Sequence, residues 1–107
     1  MKHDIRLAFI FGMFLVSASL HAKDFEVSQK DKKFSRSTLT VKVGDAVSFK
    51  NEDAFAHNIF SLSDTKTFDL GSYPSGQTKK VVFDKPGMAE IECAIHPDMT
   101  MVVEVQK

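Results

Sequence analysis

Residues 89–105 read AEIECAIHPDMTMVVEV. Ala89-Glu90-Ile91-Glu92-Cys93 and Met101-Val102-Val103-Glu104-Val105 each alternate apolar with polar or second-face residues, and a period of two marks a strand with one buried face. Ala89, Ile91 and Cys93 form the inward set of the first, with Met88, Glu90 and Glu92 outward. Met101, Val103 and Val105 form the inward set of the second. Between them, Cys93 to Met99 gathers a thiol, an imidazole and a thioether within seven residues. A loop between two such strands can aim all three at one point.

The same alternation recurs upstream in Phe25-Glu26-Val27, Leu39-Thr40-Val41-Lys42-Val43, Ala46-Val47-Ser48-Phe49 and Val81-Val82-Phe83. Val43-Gly44-Asp45, Gly71 to Gly76 and Lys85-Pro86-Gly87 supply turn chemistry between the runs. Short strands at such spacing predict an all-β sandwich of about seven to eight strands. No segment carries the long 3.6-residue apolar stripe of an amphipathic helix. Residues 61–76 have the weakest pattern and read as a long connection with at most a short strand or a turn of helix. Phe49, Phe60, Phe68 and Phe83 are the large side chains expected to fill the core.

At 107 residues and 43% hydrophobic content the chain has material for one core and not two. Fourteen basic and fourteen acidic side chains cancel, which leaves no basic field for a nucleic-acid backbone or an anionic membrane surface. Lys30, Lys32, Lys33 and Arg36 form a local basic stretch that reads as a solvated edge strand. Docking on it is the alternative. The single cysteine excludes an intramolecular disulfide.

Residues 1–22 read as a secretory signal peptide. Lys2 and Arg6 precede a run of fourteen mostly apolar or small residues, Leu7 to Leu20, which ends in Leu20-His21-Ala22. A spanning helix needs about 20 apolar residues and a signal core only about 7 to 15. Cleavage is expected after Ala22, and with no cysteine near that bond the product is a soluble exported protein, periplasmic in a Gram-negative cell. Removing the leader takes away Lys2, Arg6 and Asp4, leaving 85 residues with twelve basic and thirteen acidic groups. His3 and His21 leave too, so the domain 23–107 keeps only His57 and His96.

Those two imidazoles, with Cys93 and Met99, account for every histidine and the only cysteine of the processed domain. Thiolate and imidazole suit copper or zinc, and a thioether is a soft, weak donor that favours copper. Taken singly, Cys93 reads as a small core hydrophobe and the histidines as ordinary loop residues. Their joint spacing is what turns the reading toward a metal. Phe55, Ala56 and Pro97 flank the candidate ligands and offer an apolar collar around His96, or ordinary loop packing.

The spacing Cys93-x2-His96-x2-Met99, with His57-Asn58 upstream, resembles the cupredoxins, the type 1 (blue) copper proteins, and the short loop with Pro97 after the histidine is most similar to amicyanin-like members. Similarity continues through Thr40-Val41-Lys42-Val43-Gly44-Asp45-Ala46-Val47 and Pro86-Gly87. The resemblance implies a Greek-key β-sandwich holding one type 1 copper, with His57, Cys93 and His96 as strong ligands and Met99 as the long axial one. Met101, at the separation plastocyanin-like chains use, is the alternative axial donor and otherwise a core side chain. Asn58 would tie the two ligand loops through hydrogen bonds. The strand before the cysteine lacks the aromatic residues usual in the family, so packing there differs.

By the same resemblance the protein would carry single electrons, Cu(I)/Cu(II), between redox proteins such as a dehydrogenase donor and a c-type cytochrome acceptor, and its short chain with a net charge of −1 after processing fits a monomer. It would not be an enzyme, since a second catalytic copper needs histidines that the processed chain does not have. The alternative is a periplasmic copper-binding protein for delivery or storage, for which exposed Met-rich or multi-histidine sites would be expected.

Overall fold

The computed structural model describes residues 21–107. The expected signal peptide therefore lies outside the described residues apart from His21 and Ala22. Nine strands follow in chain order: β1 (Asp24–Lys30), β2 (Lys33–Phe34), β3 (Thr38–Lys42), β4 (Ala46–Asn51), β5 (His57–Ser63), β6 (Lys66–Tyr73), β7 (Thr78–Val82), β8 (Gly87–Cys93) and β9 (Thr100–Gln106). This is more than the seven to eight expected, because β2 is a two-residue edge piece and the stretch read as a connection holds β6. The described residues contain no helix.

One sheet has the order β2-β1-β4-β7 and the other β3-β9-β8-β5-β6. β1 runs parallel to β4, and β3 parallel to β9, with the remaining neighbours antiparallel. Both parallel pairs join strands distant in sequence, as they must, because two parallel neighbours cannot share a tight hairpin. Lys30 to Phe34 form the β1–β2 hairpin at a sheet edge, where the expected solvated basic edge lies. Its two-residue turn, Asp31-Lys32, has both residues in the left-handed region, at φ 55° and 59°. Hairpin turns of this hand usually hold Asn or Gly, and the backbone N–H groups presented here have a specific use below.

The inner faces meet as the alternation requires. Val27, Val47, Phe49, Val81 and Phe83 pack from one side, and Leu39, Val41, Ile59, Ala89, Ile91, Met101, Val103 and Val105 from the other. Phe34, Phe49, Phe68 and Phe83 form a chain of ring contacts with centroids 6.3–6.4 Å apart. Phe49 and Phe83 are fully buried, each contributing roughly 1.5–3 kcal/mol of hydrophobic burial. Phe60 does not join them. Strand parity puts His57, Ile59 and Ser61 inward on β5, so Phe60 is on the outer face and only half-buried.

β5 and β6 form an antiparallel hairpin with a register shift between Asn58 and Phe60. β6 is the outer strand of its sheet and ends on Tyr73, which is buried. The Tyr73 hydroxyl donates to Gln29 Oε1 at 2.8 Å and approaches the Phe49 carbonyl at 3.3 Å. Gln29 Nε2 in turn donates to the Val27 carbonyl. This buried polar chain ties the two sheets together beneath the loops that carry the chemistry.

Candidate metal centre

β4 ends at Asn51, and the five residues after it must turn back to start β5 at His57. Asn51 is the spindle of that turn. Its Oδ1 accepts from the Asp53 backbone N–H at 2.8 Å, and its Nδ2 donates to the carbonyls of Phe55 (2.8 Å) and Tyr73 (3.1 Å). With both ends of its amide used, Asn51 is fully buried at no polar cost. The loop so wound delivers His57 into the interior with zero exposure.

The two nitrogens of His57 face different partners. Nε2 lies 2.8 Å from Asp53 Oδ2, and Nδ1 lies 3.7 Å from Cys93 Sγ. Asp53 also accepts from the Asp31 N–H at 2.6 Å and the Lys32 N–H at 3.2 Å, the two amides of the β1–β2 turn. Burial alone would raise the Asp53 carboxyl, but the His57 ring and the two amides outweigh it and hold the group below its ordinary 3.8. An ionised carboxylate only accepts, so His57 Nε2 carries the hydrogen. In the neutral ring that arrangement leaves the Nδ1 lone pair facing the cysteine sulfur, 3.7 Å away. Carboxylates holding the far nitrogen of a metal-binding imidazole are a general device for fixing tautomer and ring orientation.

Cys93 is the last residue of β8, buried to 2% exposure and paired with Ile59 on β5. The Asn58 N–H approaches Sγ at 3.5 Å, and the Ala94 N–H donates to the Asn58 carbonyl at 2.9 Å. Asn58 therefore links the two loops through its backbone. Its side chain turns away and donates to Asp69 Oδ1 at 2.8 Å, so the tie expected of Asn58 is made by its main chain.

His96, half-buried, places Nδ1 3.6 Å from Cys93 Sγ, and the turn is closed by the Met99 N–H donating to the His96 carbonyl. Met99 is buried. The β8–β9 register runs from Gly87↔Val105 to Glu92↔Thr100, and carried one residue further it sets Met99 opposite Cys93. Met101 pairs with Ile91, one pleat deeper in the core.

One donor atom from each of His57, Cys93 and His96 lies within 4.8 Å of the other two. First-row ions sit about 2.3 Å from thiolate sulfur and about 2.0 Å from imidazole nitrogen. At about 120° between those bonds, sulfur and nitrogen would be about 3.7 Å apart. The two sulfur–nitrogen separations here, 3.7 and 3.6 Å, match that span. The donor set fits an ion with little rearrangement.

The Phe55 ring lies against both imidazoles, with centroids 5.5 Å from His57 and 5.4 Å from His96, and is itself 41% exposed. Ile95 and Pro97, the chain neighbours of His96, are exposed beside it. Lys32 Nζ stands 6.0 Å from the Phe55 ring centre. The His96 imidazolium is disfavoured first by burial and then by His57 and Lys32, so its pKa lies below 6.5. Tyr73 is pushed far up, mainly by burial and then by the charge of Cys93, and stays a neutral phenol.

All four residues expected at the centre lie at this pole of the sandwich. Sequence reading missed Asp53, Asn51 and Tyr73. An acid four residues before a candidate histidine ligand was the one available signal for Asp53, and it is weak by itself.

A sandwich of two sheets with two imidazoles and a thiolate converging at one pole defines a metal-binding β-protein. Residues 21–106 match the model of the copper-binding proteins of the plastocyanin/azurin family, and the chain belongs to that family. Copper is accordingly its metal. The chain is 31% identical over 102 residues to the methylamine utilization protein MauL of Methylorubrum extorquens, covering 94% of this chain and 88% of that one. It is 32% identical over 84 residues to amicyanin-alpha of the same organism, covering 76% and 71%. Among solved structures, a reduced Cu(I) form of an amicyanin variant superposes with a TM-score of 0.72 at 25% identity, over 84% of this chain and 89% of that one. A copper-containing nitrite reductase from Thermus scotoductus gives 0.74 at 25% identity over 82% of this chain, which spans only 23% of that enzyme.

Proposed function

We propose that this chain is an exported single-electron carrier, with His57 Nδ1, Cys93 Sγ and His96 Nδ1 as the strong copper ligands and Met99 as the axial one. The observation that carries the reading is the pair of sulfur–nitrogen spans, 3.7 and 3.6 Å, at a pole where one imidazole is buried and the other reaches the surface. Copper, when bound, supplies a one-electron couple. The residues around it do the rest. Asp53 holds the His57 ring by Nε2, so that its donor nitrogen does not swing between oxidation states. The Asn58 N–H withdraws charge from the thiolate sulfur. Phe55, Ile95 and Pro97 keep water from the buried donors and leave the edge of His96 as the contact through which an electron passes. A rigid donor set lowers the rearrangement that accompanies each transfer.

The signal-peptide reading of residues 1–22 and the similarity to methylamine utilization and amicyanin proteins support export to a periplasm. The amicyanin-like ligand loop extends this reading to redox partners, a dehydrogenase as donor and a c-type cytochrome as acceptor, each docking transiently on the His96 face. Such docking needs only a small interface. Delivery or storage of copper fits less well, because His57 and Cys93 are closed to solvent. A second, catalytic copper would need imidazoles beyond the two that residues 23–107 contain.

The test is an absorption and electron paramagnetic resonance spectrum of the exported protein with one equivalent of Cu(II), then ascorbate. An intense thiolate-to-copper band with narrow hyperfine splitting, bleached reversibly by ascorbate, is expected. A pale complex, or Cys93→Ser keeping the colour, refutes the site. Met99→Leu should keep copper and shift the spectrum. A silent Met99→Leu beside an altered Met101→Leu would move the axial assignment to Met101.

A further inference from the structure

Asp45 stands in the turn between β3 and β4, with 5% of its surface exposed. Its Oδ1 accepts from the backbone nitrogen of Lys23 at 2.8 Å and its Oδ2 from that of Lys42 at 2.8 Å. The Lys23 peptide is gripped on its other side as well, since the Ala46 N–H donates to the Lys23 carbonyl at 2.9 Å. Asp45 is thus fixed from two directions. Yet among the described residues no side-chain cation lies within salt-bridge distance of it, the ion pairs being His57–Asp53, Lys66–Asp84 and Lys80–Asp24. A carboxylate this enclosed is ordinarily matched by a positive charge.

The atom already in contact with Oδ1 is the nitrogen of the Ala22–Lys23 peptide bond, the bond at which the leader is expected to end. We propose that removal of the leader turns this nitrogen into a directly contacting cation: the α-ammonium of Lys23 forms an ion pair with Asp45 that seals the start of β1 onto the β3–β4 turn. The inference rests on the reading of residues 1–22 as a cleaved signal peptide. Hydrolysis adds one water across the bond. The Ala22 carbonyl carbon takes the hydroxyl oxygen and leaves as a carboxylate with the leader, and the Lys23 nitrogen, gaining protons, becomes –NH3⁺. No strand residue has to move, because β1 begins at Asp24 and His21 to Lys23 are exposed coil. The groove beside Asp45 is lined by Phe25, Thr40, Val41, Lys42 and Val43 together with His21 and Ala22, and departure of those two with the leader leaves room for the amine's remaining protons to meet water.

Two amide donors, from Lys23 and then Lys42, hold the Asp45 carboxyl below 3.8, with a smaller contribution from the more distant Lys23 and Lys42 side-chain charges, which are the cations that the new amine would also face. An ammonium in place of one amide strengthens the same contact, since charge-assisted hydrogen bonds are roughly twice as strong as neutral ones. The effect on the amine has a definite sign. Its pKa rises in the folded protein, so the added stability is fully present below the unfolded value, about 7.7–8.0, and is lost as pH rises through the folded value. The contact is remote from the metal centre: β4 runs from Ala46, beside Asp45, to Asn51, about 17 Å along the strand. The copper spectrum therefore serves as an independent check that each variant is folded.

The full chain is expressed in a Gram-negative host, and the exported product is characterised by intact mass and N-terminal sequencing before nitrogen-detected titration of the Lys23 amine. The expected result is a product beginning at Lys23 whose amine titrates about one unit or more above the ordinary value. Asp45→Asn should return it to that value. A Gly-Ser extension before Lys23, with Asp45 intact, should abolish the difference in thermal stability between pH 8 and pH 10 that the processed chain shows. A product beginning elsewhere overturns the proposal at the processing step. An ordinary amine pKa in a chain that does begin at Lys23, or a pH profile that the extension leaves unchanged, overturns it at the pairing step.

Discussion

Asp53→Asn changes one atom of the side chain and should fall selectively on the copper-loaded protein. In the native chain Asp53 accepts three hydrogen bonds, from the Asp31 and Lys32 amides and from His57 Nε2. An asparagine carbonyl can keep the bond from the Asp31 amide, but its NH2 group then stands where Oδ2 met both His57 Nε2 and the longer contact from the Lys32 amide. In the metal-free protein the imidazole can move its hydrogen to Nδ1 and accept from that NH2, which recovers the His57 contact; loss of the Lys32 contact at 3.2 Å is common to both states and cancels in the comparison. With Nδ1 committed to a metal, Nε2 must carry the hydrogen, and two donors meet at a site with zero exposure. Leaving such a donor unmatched costs about 1–3 kcal/mol, and loss of a carboxylate behind a metal-binding histidine typically lowers affinity about 10- to 100-fold. A competition titration against a chelator of known affinity reads the loss, and urea unfolding of the metal-free variant reads the apo stability. Unchanged affinity, or an apo protein destabilised as much as the loaded one, would refute the tautomer argument.

Tyr73→Phe should destabilise the domain by about 1–3 kcal/mol in urea unfolding, because Gln29 Oε1 loses its donor in a buried setting, while the copper spectrum stays largely intact. Gly87→Ala should cost about 1–3 kcal/mol, since Gly87 has φ +136° and an added Cβ would stand 2.5 Å from Thr65 Oγ1; thermal melting of the variant checks this. Asp45 and Asp69 both have carboxyls held below 3.8, Asp45 by the Lys23 and Lys42 amides and Asp69 by the Gly71 amide and Asn58. Groups depressed in the fold contribute stability above their unfolded pKa and lose it as pH falls through the folded one. Unfolding free energy should therefore drop as pH is taken below 3.8, and Asp45→Asn should flatten that fall.

Reading outward from Cys93, strand parity was enough to separate the core residues of β8 and β9 from their exposed faces, and burial follows the expected alternation there. At β6 the alternation is present but shallow, with Lys66, Phe68 and Leu70 half-covered and Thr67 and Asp69 open. An outer strand with partial cover on one face needs few apolar residues, here Phe68 and Leu70 among Thr, Asp, Gly and Ser, so its sequence looks like a connection. Phe60 shows the opposite case. Its parity relative to His57 excluded it from the core, yet a large aromatic in an apolar stretch invited the assignment.

Local sequence determined what is repeated at short range: the strand period, the turn residues, and a thiol, imidazole and thioether at fixed spacing on one loop. Each of these follows from backbone geometry over a few residues. Only the tertiary structure decided which carboxylate holds His57, because Asp53 reaches Nε2 through a loop wound on Asn51 and braced by a hairpin some twenty residues earlier. The same is true of Asp45 and the Lys23 nitrogen, twenty-two positions apart and joined through the parallel pairing of β1 with β4. A carboxylate's partner is set by which strands lie side by side, and that choice minimises the burial of unpaired polar groups over the whole domain rather than over any window of sequence.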